Sequence, residues 1–217
     1  MSKVRLSIVE KGPAWWPLFL VLGFALSSCS LPLGPQRAAQ TTRTYVLQAP
    51  EDSVPRAANP NGPVLLISPI LSAAGFDSSD MAYMRKPHEI EYFAQHRWVD
   101  APARMLDPLL VQAAEQTGLF RSVVGSGSGV KADLRLDSRL IHLQQVCRLN
   151  PSQLQLALRV TLVKVSSARA IASRTLSVSE AIEARSPYAG VEAANRAVAR
   201  LLSDLQGFLA EQVPAPR

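Results

Sequence analysis

Cysteine is nearly absent: the 217 residues carry only Cys29 and Cys147. That excludes a disulfide-stapled scaffold and a four-thiolate zinc knuckle. Histidine is equally scarce, and His88, His96 and His142 share no metal-ligand spacing with one another or with carboxylates. Each reads as a surface or internally satisfied side chain. Lysine and arginine total 23 against 17 acids, but neither base occurs in runs. The electrostatic footprint of a nucleic-acid binder is therefore missing. Without residues 1–28, which hold Lys3, Arg5 and Lys11 against Glu10, 20 bases face 16 acids, a charge of +4. Catalytic signatures are missing as well. No Gly-x-Ser-x-Gly elbow occurs, and Gly125-Ser126-Gly127-Ser128-Gly129 lacks the Gly-Lys-Ser/Thr of a phosphate loop and a helix to follow it. It reads as an exposed turn between strands. No residue is assigned a catalytic, cofactor-binding or metal-binding role, no cofactor is expected, and the chain reads as a protein that is not an enzyme.

What the chain does have is apolar mass, 47% of its residues, enough for one packed domain. Its longest apolar stretch, Trp15 to Leu26, follows Lys3, Arg5 and Lys11 and precedes Ser27, Ser28 and Cys29. This is the order of a basic n-region, an h-region and a cleavage site. A twelve-residue helix covers roughly 18 Å, well short of a hydrocarbon core of about 30 Å, so the stretch is expected to be cleaved rather than kept as a span. Leu26-Ser27-Ser28-Cys29 resembles the lipobox of bacterial lipoproteins, in which the Cys thiol takes a diacylglyceryl group and the freed amine a third chain. Three acyl chains make attachment effectively permanent, since each buried methylene contributes about 0.8 kcal/mol. A plain secretory signal with a chance Cys is the competing reading. Ser30 stands where an Asp would resemble an inner-membrane retention signal, which favours the outer membrane. With Cys29 acylated, Cys147 has no intramolecular partner and is expected to be buried and inert.

The expected organisation is a signal peptide over 1–28, a lipidated flexible tether over 29–43, one domain over 44–213 and a C-terminal tail over 214–217. The tether has a root-mean-square span of roughly 20 Å and an extended reach of roughly 45 Å. Strands are predicted at 44–48 and 64–67, then a hairpin of 81–85 and 89–93. Asp100 is expected to cap a helix from Ala101 to Gly118, with Leu106, Leu109, Leu110 and Ala113 on one face and a kink at Pro108. A short strand at 120–124 follows. In the strand 133–146, Leu134, Leu136 and Leu140 share one phase but Ile141 and Leu143 take the other, which predicts a bulge near Leu140. Leu154 to Leu162 alternates cleanly, and 170–183 is a polar strand with one face in water. Ser186 and Pro187 open a closing amphipathic helix to Gln212, weakened at its start by Gly190. This order gives an α/β fold, a single mixed sheet packed by two main helices.

The densest chemistry lies in Met81 to Phe120, where Tyr83, Tyr92, Phe93 and Trp98 mix with Arg85, Glu91, Arg97 and Asp100. Such residues serve either an interface or the cover of a core edge. Tyr83, Arg85, Tyr92 and Trp98 are the candidate partner contacts, with Trp98 at a helix start where it can also be core. The Tyr83-Met84-Arg85 and Glu91-Tyr92-Phe93 strands, the Arg97-Trp98 approach to a helix and Gly118-Leu119-Phe120 at its end resemble the ABC-type transport auxiliary lipoprotein family. The resemblance runs from Tyr45 to near Leu209. It implies a fold like the N-terminal domain of TolB. It also implies a periplasmic lipoprotein beside an ABC permease and ATPase and a mammalian-cell-entry protein, moving phospholipid or another hydrophobic molecule between two membranes. Docking to neighbouring copies of the same chain is a further expectation. A lipoprotein regulator of a peptidoglycan synthase is the alternative from another class, and an undetected hydrolase a third.

Overall fold

The computed structural model describes residues 41–48 and 57–213. The expected signal peptide, Cys29 and the C-terminal tail lie outside them, as does most of the tether. In chain order the elements are β1 (Arg43–Tyr45), β2 (Val64–Ile67), β3 (Leu71–Ser72), β4 (Asp80–Met84), β5 (Glu91–Trp98), α1 (Pro102–Gln116), β6 (Ser122–Gly125), β7 (Leu134–Val146), β8 (Gln153–Lys164), β9 (Arg169–Ala181) and α2 (Pro187–Gln212).

All nine strands join one mixed sheet, organised around β7. Along one edge β7 pairs antiparallel with β8, which pairs antiparallel with β9. Along its other edge it takes three short strands in parallel: β2 against Leu134–Leu136, β3 against Arg139–Leu140 and β4 against Gln144–Val146. Beyond β2 lies β6, and beyond β4 lie β5 and then β1. Within the hairpin β4 is interior to the sheet, held by β7, while β5 is covered by β1 only along His96–Trp98.

Helix α1 lies over β2 and β6, α2 over β8 and β9, and the two helices touch each other. Strand alternation supplies the core beneath them. Leu154, Leu156, Leu158, Val160 and Leu162 are all buried while Arg159 is exposed, because successive side chains of a strand point to opposite faces. On β7, Leu136 and Leu140 lie opposite Leu162 and Leu158. The register then slips between Leu140 and His142, which brings Leu143 and Gln145 round to the same face. The predicted bulge is therefore present. Above this layer α2 contributes Val198, Leu201, Leu205, Phe208 and Leu209, all buried.

Several local signals act as the chain predicts. Ser186 caps α2, its Oγ accepting from the Ala189 N–H at 3.1 Å, with Pro187 in the first turn. Thr117 is the C-cap of α1, and Gly118 leaves the helix at φ +65°. The start of α1 differs from expectation. Its cap position is Ala101, with no side-chain cap, because Asp100 folds back to accept from the Ala101 N–H at 2.7 Å and pairs with Arg104. Strand β9 leaves its outer edge unpaired within the sheet, and Arg169, Arg174 and Glu180 place charges on it, which opposes uncontrolled pairing. Exposed ion pairs from Arg174 to Glu211 and from Arg200 to Glu180 fasten that strand to α2.

Candidate functional site

The hairpin and the structure beside it hold the candidate residues. Tyr83 and Phe93, on neighbouring strands, bring their ring centroids to 4.5 Å. The Tyr83 hydroxyl donates to Glu91 Oε2 at 2.9 Å, Arg85 Nε donates to Glu91 Oε1 at 2.7 Å, and Arg85 Nη2 reaches Oε2 as well. The Arg85 guanidinium also sits 5.6 Å from the Tyr83 ring centroid. Bonding to Arg85 holds the Glu91 carboxyl below its ordinary range, and the same carboxylate raises the Tyr83 phenol. Tyr83, Arg85 and Glu91 therefore act as one charged and aromatic unit, with Arg85 largely in solvent. Further along β5, Tyr45 stacks on His96 and bonds its Nδ1 at 2.8 Å, joining β1 to this face.

Tyr92 points to the other face of β5, 43% exposed, and its hydroxyl donates to the Gly75 carbonyl at 3.1 Å. Trp98 is different: at 4% exposure it belongs to the core and presents no contact area. Of the four candidates, Tyr83, Arg85 and Tyr92 remain accessible, and they divide between two faces. Within the hairpin β4 is paired on both sides, by β5 and β7, whereas β1 covers β5 only along His96–Trp98 and leaves the outer edge of residues 91–95 without a strand partner among the described residues.

Cys147 corrects a second expectation. It is exposed rather than buried, immediately beyond the end of β7, where partial desolvation raises its thiol pKa. It borders a cavity of about 450 Å³ between the hairpin, the end of β7 and the start of α2, together with Arg85, Phe93, Gln145, Ile182 and Arg185. Sequence reasoning did not find this cavity, because its residues come from four separated segments. A smaller cavity of about 230 Å³ lies near Asp107, whose carboxyl accepts from the Ile70 N–H at 2.9 Å and is raised in pKa by burial. The glycine loop is exposed, with open space around Gly125, Gly127 and Gly129. Among the described residues no group of three or more His, Cys, Asp or Glu could hold a metal ion. Among them, too, no helix is long and apolar enough to cross a membrane.

Two solved structures share the fold. Protein XCC0632 from Xanthomonas campestris superposes with a TM-score of 0.69 at 19% identity, over 79% of this chain and 96% of its own. An uncharacterized protein superposes with a TM-score of 0.62 at 10% identity, over 78% of this chain and 99% of its own. No curated protein sequence matches. Residues 45–206, from β1 into the last third of α2, match the ABC-type transport auxiliary lipoprotein component family. Since that match takes in every strand from β2 to β9, the hairpin and every residue lining the larger cavity, the chain belongs to this family of auxiliary lipoproteins of ABC-type transport systems.

Proposed function

We propose that the protein is a non-enzymatic lipoprotein, anchored through Cys29 to the periplasmic face of the outer membrane, that serves a transporter of the mammalian-cell-entry type. Its cargo is phospholipid or another hydrophobic molecule moving between the inner and outer membranes. The observation that carries this reading is the family match over residues 45–206 standing behind a lipobox at Leu26-Ser27-Ser28-Cys29. In this reading residues 1–28 are removed and 29–43 form the tether that gives the domain its reach. The domain of 44–213 ends before a short tail of 214–217. The mixed sheet under two helices is in keeping with a likeness to the N-terminal domain of TolB.

A domain confined to a membrane surface acts by contact, and Tyr83, Arg85 and Tyr92 are of the residue types that dominate interface energetics. They are the proposed contacts to the mammalian-cell-entry protein, or to neighbouring copies of this chain. Membrane fractionation with mass spectrometry tests the anchor. The mature protein should begin at Cys29, carry three acyl chains and sediment with the outer membrane, and Cys29→Ala should leave an uncleaved or mislocalised precursor. A soluble wild-type protein cleaved elsewhere refutes the anchor. Gentle solubilisation followed by affinity isolation tests the partner: a permease, an ATPase and a mammalian-cell-entry protein should come down together. Isolation of a peptidoglycan synthase in their place refutes the transport reading.

A further inference from the structure

Two polar residues occupy the buried, helix-facing side of the sheet, Ser138 and Gln145, and Gln145 is only 5% exposed. Two features of the fold put it there. The slip in register at Leu140 turns Gln145 toward the helices, opposite Leu154; in an unbroken strand it would face the other way. The helix above it carries a glycine, Gly190, in its first turn. A Cβ on Gly190 would lie 2.1 Å from Gln145 Nε2 and 2.3 Å from Cδ, so the carboxamide fills the space that a side chain would need. The carboxamide makes no side-chain hydrogen bond to another described residue and borders the cavity, whereas the enclosed side-chain atom without a partner on this side of the sheet is Ser138 Oγ.

This amide lines the cavity of about 450 Å³, which falls in the range of small-molecule sites. Phe93, Ile182 and Pro187 give it apolar walls, and no carboxylate lines it. Arg85 is already committed to Glu91, but Arg185 makes no ion pair with any described residue. Ser186, the cap of the 26-residue α2, is also part of the wall, which brings the positive end of a long helix dipole to the cavity. An apolar chamber with a guanidinium outside any ion pair, a carboxamide at its wall and a positive helix end is suited to a ligand that is apolar at one end and anionic at the other.

We propose that this cavity binds an amphiphile with a phosphate-class anionic headgroup. The tail packs against Phe93, Ile182 and Pro187, and the headgroup is taken by Arg185 and the Gln145 carboxamide. The inference rests on the transport reading for the class of ligand and adds its site: failure of the binding test below overturns the site, whereas failure of co-isolation with a transporter overturns that reading alone.

Cys147 borders the same cavity and provides the readout. The mature lipoprotein is placed in nanodiscs of zwitterionic lipid, and maleimide labelling of the Cys147 peptide is followed by mass spectrometry. Octyl phosphate should slow labelling at least fivefold in a saturable manner, whereas inorganic phosphate and octyl glucoside at equal concentration should each have little effect. Arg185→Gln, at an exposed position, should weaken protection by octyl phosphate at least fivefold without changing the melting temperature. Arg159→Gln, on the opposite face of the sheet, should not. Equal protection by octyl glucoside would reduce the cavity to an apolar cleft, and equal protection by inorganic phosphate would make it a site for the free ion. Either result overturns the proposal, as does the absence of protection by octyl phosphate or full protection in Arg185→Gln.

Discussion

Helix α2 contains two glycines in opposite surroundings, and the same substitution at each should change stability in opposite directions. A Cβ at Gly207 meets nothing within 4 Å, so Gly207→Ala gains only helix propensity, about 1 kcal/mol. For a domain of this size that raises the melting temperature by about 2–4 °C. At Gly190 the same gain is set against a Cβ placed 2.1 Å from Gln145 Nε2. The amide must leave its site, and overpacking of this kind costs about 1–3 kcal/mol. The net effect is between neutral and about 2 kcal/mol destabilising. The assay is thermal and denaturant unfolding of both single variants and of Gly190→Ala in a Gln145→Ala background. Removal of the long side chain should restore the full gain of about 1 kcal/mol, giving a coupling of about 1–3 kcal/mol between positions 190 and 145. If Gly190→Ala stabilises the wild-type background as much as Gly207→Ala does, the amide is not held against Gly190, and the argument for a shaped site fails with it.

Leu156→Ala and Leu158→Ala should each cost about 2–5 kcal/mol in denaturant unfolding, because both side chains are fully buried under the helices. Arg159→Ala, at the exposed position next to Leu158, should cost far less, and equal losses at all three positions would contradict the strand's phase. Burial raises the Asp107 pKa, so the native state holds that proton more tightly than the unfolded chain and loses stability as pH rises through the carboxylate range. Asp107→Asn keeps the acceptor for the Ile70 N–H. It should raise the melting temperature at neutral pH, with the gain vanishing below the ordinary aspartate value of 3.8; a gain independent of pH would refute this account. Tyr83→Ala with Arg85→Ala should weaken partner capture by more than about 2 kcal/mol per residue if these are interface anchors. Normal capture by a folded double variant would remove the hairpin from the interface.

Local patterns were legible where one physical cause dominates. The Leu154 to Leu162 alternation, the phase change at Ile141 and the Ser186-Pro187 start of α2 each follow from strand pleat or cap chemistry, and each is present. Features set by distant segments were not. Strand β3 has two residues and exists only because Leu71 and Ser72 lie beside Arg139 and Leu140. Strand β5 continues to Trp98 because β1 pairs with its second half, far beyond the hairpin signal that ends at Phe93. Asp100 has the chemistry of a cap, but Arg104 one turn later competes for its carboxylate. Gly190 read as a weakness in the helix, and its use became visible only with Gln145 beneath it. The exposure of Cys147 likewise depends on where β7 ends rather than on the hydrophobicity of its neighbours.

The way β7 gathers its partners also dictates when the sheet can form. Residues 134–181 make an antiparallel meander whose contacts are local, and α2 follows directly to cover it. By contrast, β2, β3 and β4 can pair with β7 only across some 60 to 70 intervening residues. Closing loops of that length is slow, and contacts of high sequence separation form late. A chain emerging amino-terminus first therefore exposes β1 to β5 before the strand that organises them exists. Until residue 146 has appeared the sheet lacks its organising strand, and only the β4–β5 hairpin, β1 against β5 and β2 against β6 can pair without it. Assembly then proceeds backward along the sequence, from the carboxyl-terminal meander toward β1.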